Sequence, residues 1–220
     1  DIAASTTATG REMLIFAQEF VLEKFPGSEI IYGDTDSIFV HFHPKDDEGK
    51  PLKGLAAVEA SIAMGQDAGN QARVELQQVR GWSSQDLEFE KIYLSMMLFT
   101  RKKYAGLKFE DRVDKFSLSY MGIVLKRRDN AKIVKAVYSD VIDAIMDRGS
   151  VLSAIANHKT GTKDKAYSAA NTRILGSIER LQSHIQRLLD HKVPLRDLII
   201  SKSLRSHYAD PPQIVPKVHA

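Results

Sequence analysis

The sequence contains no cysteine, which excludes a disulfide framework and fits a reducing compartment. No apolar run approaches the ~20 residues that span a bilayer, so no membrane partner is expected. No basic-then-apolar leader precedes the first helix, and the chain starts at Asp1 rather than Met, so it is expected to be an internal piece of a longer protein. No internal repeat is found, and nothing marks the chain as disordered. With 43% hydrophobic and 27% charged residues, 220 residues suit one large domain or two modest ones. The net charge of +3 is small but uneven. Lys91 to Lys135 holds twelve basic against four acidic residues, a local +8 that leaves −5 for the remainder. Such a block suits a polyanion surface or a solvated charged face equally well.

The stretch that organises the rest is Ile30-Ile31-Tyr32-Gly33-Asp34-Thr35-Asp36-Ser37-Ile38-Phe39-Val40. Two β-branched and aromatic runs flank a polar centre, which predicts a tight β-hairpin with Gly33 and Asp34 supplying the turn. Asp34 and Asp36 are two positions apart, so an extended backbone projects both to one face. Two such close like charges call for a cation between them, and a hard divalent ion with oxygen ligands, above all Mg²⁺, meets that need. Asp and Ser are also common residues of plain surface turns.

Before this hairpin, Ser5 to Lys24 spaces Met13, Phe16, Ala17, Phe20 and Val21 as one face of a helix, with Ser and Thr in cap-like positions and Pro26-Gly27-Ser28 as its stop. After it, His41 and His43 share a strand face. With no third ligand nearby in sequence they are read as structural. Pro44–Gly54 is a loop, and Leu55–Val79 is helical, as one helix or as two divided near Gly65 and Gly69. Leu87–Phe109 is rich in strand formers. Within it Glu88 and Glu90 alternate, as on an ordinary polar strand face or one turned toward Asp34 and Asp36. Arg101-Lys102-Lys103-Tyr104-Ala105-Gly106 places three adjacent cations on a strand, tolerable when they are solvated or face anions such as phosphates. Asp129 or Asn130 suits a helix N-cap ahead of Ala131–Arg148, with Gly149-Ser150 as the break. Val151–Ala156 starts another helix, His158–Lys165 is a polar loop, and Ile174 to Leu189 forms a long amphipathic helix ended by Lys192-Val193-Pro194.

Tyr32-Gly33-Asp34-Thr35-Asp36-Ser37 resembles the catalytic hairpin motif of family B DNA polymerases. Three further segments are similar to that family in the same order: Arg101–Gly106, with Arg101 where a lysine is usual; Met121–Asn130, with Met121 where cellular members usually have lysine; and Leu198–Arg205. Thr7-Ala8-Thr9-Gly10-Arg11 looks like the entry to the preceding helix. The viral branch of large DNA viruses is the nearest likeness.

The resemblance implies an α+β fold, with residues 1–121 as the C-terminal half of the palm (an antiparallel sheet backed by helices) and 122–220 as the start of a mainly α-helical thumb. It implies that Asp34 and Asp36 are catalytic and hold two Mg²⁺ ions, and that Tyr32, Gly33, Thr35 and Ser37 shape the hairpin near the primer end. Glu88 and Glu90 match glutamates that some members associate with an additional metal. Arg101, Lys102, Lys103, Tyr104 and Gly106, with Arg127 and Arg128, would grip DNA. The implied reaction is two-metal phosphoryl transfer from deoxynucleoside triphosphates to a primer 3′ end. Primer-template DNA, the fingers, exonuclease and N-terminal domains of the same polymerase, and a sliding clamp are the implied partners. The implied location is intracellular, at the host nucleus or a cytoplasmic replication site for a viral enzyme. The family's upstream catalytic aspartate and its triphosphate-binding lysine are not among these residues, so the stretch alone is expected to be inactive. A D-x-D glycosyltransferase and a non-catalytic polymerase-like DNA-binding module remain as alternatives.

Overall fold

The computed structural model describes residues 2–79, 81–126, 129–160 and 170–200. The readings at Arg127, Arg128 and 201–205, and at 161–165 of the polar loop, lie outside these residues.

Helix α1 (Ile2–Lys24) buries Phe16, Ala17, Phe20 and Val21, the stripe its spacing predicts. It starts ahead of Ser5, so the hydroxyls expected as caps are internal: Thr6 and Thr7 donate to the carbonyls of Ile2 and Ala3. Gly27, at φ +87°, turns the chain into strands β1 (Glu29–Asp34) and β2 (Ser37–His41). Helix α2 (Gly54–Val74) then runs unbroken into a π-helical turn at Glu75–Val79. Its glycines do not divide it. A Cβ on Gly65 would sit 2.5 Å from the Phe89 ring, and one on Gly69 3.0 Å from the Phe89 amide nitrogen. These glycines admit a crossing chain, which offsets their low helix propensity.

That crossing segment, Leu87–Lys91, is irregular, and strand β3 begins only at Ile92. Strands β3 (Ile92–Thr100), β4 (Lys103–Phe109) and β5 (Phe116–Met121) form an antiparallel sheet in that order, separate from the β1–β2 pair. Helices α3 (Lys132–Ile145), α4 (Arg148–Thr160), α5 (Ala170–Leu189) and the short α6 (Leu195–Leu198) follow. The class is α+β, as expected. Ala131 holds the N-cap of α3, with no capping side chain. The break between α3 and α4 falls at Asp147, at φ +55°, rather than at Gly149-Ser150, which α4 absorbs.

Two cores hold these elements. The first joins Leu55, Val58 and Ile62 of α2, Ala105, Leu107 and Phe109 of β4, Ile142 and Met146 at α3, and Val151 and Ala154 of α4. Residues on both sides of Met121 thus share one interior. The second packs Phe16, Phe20 and Val21 of α1 against Ala68, Ala72 and Leu76, with Ile38 and Val40 of β2 resting on it. Helix α5 meets α3 by its polar side: His184 Nε2 lies 2.7 Å from Asp140, and Arg180 donates to the Asp140 carbonyl. Its apolar stripe, including Ile174, Ile178, Leu181 and Ile185, stays exposed among the described residues.

Candidate active site

The hairpin pairs Asp34 with Ser37 and Gly33 with Ile38, leaving Thr35 and Asp36 as the connecting turn. The turn therefore lies two residues beyond the Gly33-Asp34 expected from sequence. Thr35 takes the left-handed region at φ +45°, and the Asp36 amide donates to the Asp34 carbonyl over 2.5 Å. The consequence is an exposed Asp36 at the tip and a half-buried Asp34 closing β1. The register slips at Ile31, a bulge of the kind that re-aims side chains near functional sites.

Alternation on β2 gives the hairpin two apolar faces. Ile38 and Val40 pack on the α1–α2 core, while Phe39 points toward the three-stranded sheet. Its ring stacks on Tyr93 at 6.0 Å and 14°, meets Tyr104 edge-on at 5.6 Å, and pairs with Tyr32 at 5.4 Å. Such aromatic contacts favour fixed geometries. They dock the hairpin onto β3 and β4.

Docking brings the β3–β4 turn to the hairpin tip. Arg101 and Lys102 form that turn, and Lys103 starts β4, so the cations do not line one strand as the sequence suggested. Lys102, at φ +61°, donates its amide to the Tyr32 hydroxyl at 2.9 Å and its Nζ to Thr35 Oγ1 at 3.0 Å. The same Nζ lies 2.8 Å from Asp34 Oδ1. Gly122 supports the turn from below: it too has φ +61°, and a Cβ there would lie 2.3 Å from the Lys102 carbonyl oxygen. Only glycine fits both conditions.

The Lys102 ammonium thus sits where the two carboxylates call for a cation. Its hydrogen bond, followed by that of the Thr35 hydroxyl, outweighs partial burial and holds the Asp34 carboxyl below its ordinary value. Reciprocally, Asp34 first and Asp36 last among the causes raise the Lys102 ammonium above its own. The linkage signs follow. The Asp34 contribution is complete above the unfolded carboxyl value and is lost as pH falls through the depressed folded one. The Lys102 contribution is complete below its unfolded value and is lost as pH rises through the raised folded one. The pairing therefore holds across the neutral range. Lys102→Met is expected to return the Asp34 carboxyl toward its ordinary value, read by carbon-detected NMR titration in the absence of divalent ions. An unchanged titration would show that Lys102 does not hold Asp34.

The other candidates divide. Arg101, Lys102 and Lys103 are exposed, beside the cleft that Tyr32, Asp34 and Thr35 line. Tyr104 is turned inward at 6% exposure, and its hydroxyl is pushed up to about 12, by burial first and by Tyr93 next. Gly106 lies under the Tyr93 ring, where a Cβ would come within 2.3 Å. These two build the aromatic seat and do not share the exposed basic edge. Ser37 donates to the Asp34 carbonyl at 3.2 Å, closing the turn.

Glu88 and Glu90 do point to one side, outward, because Leu87 and Phe89 turn inward. They line a second cleft with Arg73, Lys91, Lys108 and Glu110, apart from the one that Asp34 lines, and Lys91 pairs with Glu90. Among the described residues, neither this pair nor Asp34 with Asp36 gains a third metal-ligating side chain within reach. Asp34 and the Thr35 hydroxyl already meet one positive charge, with the exposed Asp36 carboxylate two residues on at the same tip, and these hard oxygen donors fit Mg²⁺. Sequence reasoning did not single out Phe39, Tyr93 and Gly122, which position the site. For Gly122 a signal existed, a glycine just beyond a strand end.

A model of DNA polymerase family B matches residues 1–218. The chain is 36% identical over 220 residues to the DNA polymerase of Pyramimonas orientalis virus, covering all of this chain and 16% of that protein. It is 37% identical over 192 residues to the DNA polymerase of Acanthamoeba polyphaga mimivirus, covering 87% of this chain and 9% of that protein. The DNA polymerase delta catalytic subunit of Glycine max is 29% identical over 215 residues, covering 93% and 16%. The chain therefore spans less than a fifth of the length of these curated relatives.

Proposed function

Since the chain belongs to DNA polymerase family B, we propose that the protein containing it is a DNA-directed DNA polymerase of replication, in which this segment carries two of the metal-holding carboxylates and part of the DNA grip. The observation that carries this reading is the meeting of the Tyr32–Ser37 hairpin with the Arg101–Gly106 turn, joined by the Lys102–Asp34 ion pair over 2.8 Å.

Asp36 and Asp34 would hold Mg²⁺, two ions in the full site. Magnesium there supplies charge stabilisation for the attacking and leaving oxygens and eases deprotonation of the primer hydroxyl. Asp36, not held by Lys102, presents its carboxylate at the tip. Lys102 balances the charge of Asp34. The aromatic seat of Phe39, Tyr93 and Tyr104 fixes the tip against the sheet, so the carboxylates need not be ordered at the moment of reaction. Arg101 and Lys103, with Arg127 and Arg128, would bind phosphates, interactions that position a duplex without reading its sequence. Tyr104 would act from behind this edge by holding the hairpin.

Residues 1–121 are read as palm and 122–220 as the start of the thumb, with the boundary near Met121. Deoxynucleoside triphosphates, the remaining polymerase domains and a sliding clamp are the proposed partners. The host nucleus or a cytoplasmic replication site is the proposed location.

Single-nucleotide primer extension tests the reading. The intact chain is expected to extend a primer-template with Mg²⁺, and residues 1–220 alone are expected to add nothing. An intact chain that binds duplex and never extends it would leave a non-catalytic DNA-binding module. Because neutralising phosphates releases counterions, duplex affinity should fall with salt. Arg101→Ala combined with Lys103→Ala should reduce the log-log slope by about 2, roughly 0.9 for each phosphate that is no longer neutralised. An unchanged slope in filter-binding titrations would remove these two residues from the interface.

A further inference from the structure

The two histidines after the hairpin are not an isolated pair. Strand register sets Glu29, the first residue of β1, directly across from His41, the last of β2. His43 then takes φ +49° and folds back, so that the two imidazole centroids lie 3.7 Å apart. Its Nε2 is 3.6 Å from Glu29 Oε2, and one ligand atom from each of the three residues lies within 4.8 Å of the others. This is the one group of three or more potential ligands among the described residues.

We propose that Glu29, His41 and His43 bind a divalent transition metal of the zinc class. Two imidazoles and a carboxylate suit Zn²⁺, Cu²⁺ or Ni²⁺, whereas Mg²⁺ prefers an all-oxygen shell. The site is thus chemically distinct from Asp34 and Asp36. Tetrahedral zinc with bonds of ~2.0–2.1 Å places its ligand atoms ~3.3 Å apart. The His43–Glu29 pair is already near that spacing. All three side chains are exposed, so rotation about free bonds closes the remainder without disturbing packing, and solvent can fill the fourth position.

The site lies at the open end of the hairpin, about 17 Å from the tip at ~3.4 Å per residue. Between the two ends sits the bulge at Ile31, where the register changes. A metal that ties Glu29 to His41 and His43 fixes the strands on the far side of that bulge. It thereby holds the register that sets Tyr32 opposite Phe39 and Asp34 at the end of β1. The bound ion acts as a clip on the hairpin and takes no part in the chemistry at the tip.

The test counts zinc in the intact chain. Wild type, Glu29→Gln and the double variant His41→Gln/His43→Gln are stripped with chelator and titrated with Zn²⁺ against a chromophoric competitor. The double variant is expected to bind one equivalent fewer, and Glu29→Gln to weaken that equivalent about tenfold or more, each removed ligand being worth at least ~1.4 kcal/mol. Zinc should also slow hydrogen exchange at the Ile30 and Val40 amides of wild type alone. Equal zinc stoichiometry in wild type and double variant overturns the proposal. Should the double variant fail to fold, His43→Gln, on an exposed loop side chain, gives the same comparison. None of these readings requires primer extension, so this proposal and the polymerase reading can fail separately.

Discussion

Primer extension by the intact chain is expected to fall by about 10³-fold or more when Asp36 becomes alanine, the loss of roughly 4 kcal/mol of transition-state stabilisation. The position makes this a clean test of chemistry. Asp36 is exposed, its backbone amide bonds to the Asp34 carbonyl, and the pairing of Asp34 with Ser37 does not involve its side chain. Truncation should therefore leave the hairpin folded and duplex affinity nearly unchanged. Asp34→Ala would be harder to read, because it also strips Lys102 of its partner carboxylate and leaves the β3–β4 turn without that ion pair. Single-turnover incorporation separates the terms: a loss in rate with unchanged duplex affinity indicates an interaction made in the transition state. Extension by Asp36→Ala within tenfold of wild type would remove Asp36 from the metal-holding role.

The largest expected loss of stability is at Phe109. Its side chain is fully buried at the end of β4, opposite Ile92 on one side and Phe116 on the other, with the Phe116 ring 5.4 Å away. It belongs to the core that α2, β4, α3 and α4 all enter. Those surroundings cannot collapse onto a vacated ring without moving several elements at once. Phe109→Ala should cost about 3–5 kcal/mol. Amides of β4 that exchange only through global opening should then exchange more than about a hundredfold faster. Phe109→Leu, which keeps most of the volume, should cost far less. A shift below about 1 kcal/mol for the alanine variant would mean that this sheet and these helices do not share one core.

Much was legible from residues alone because the relevant signals are local. The α1 stripe, the hairpin, the four ordered motifs and the absence of a membrane-spanning run depend on spacing and residue type over short windows. Where those readings missed, a distant segment decided. Gly65 and Gly69 leave one helix or two open until Phe89 is seen to cross α2 at them. Leu87–Lys91 has the composition of a strand, yet it lies on a helix and has no strand partner. The stripe of α5 is plainly amphipathic, but His184 and Ser177, not the leucines, face inward.

By itself, then, the sequence determined the family, the α+β class, the two aspartates at a hairpin tip and the clustering of cations after β3. Only the tertiary structure decided that Lys102 lies on Asp34, that Tyr104 and Gly106 form a seat rather than a surface, that Glu88 and Glu90 line a separate cleft, and that Glu29 joins His41 and His43. The reason is physical. Periodicity and turn chemistry record what each residue prefers within a few neighbours, whereas ion pairs, ring stacking and ligand geometry depend on which strands meet and in what register. A shift of one residue, such as the bulge at Ile31, changes every side chain that follows it.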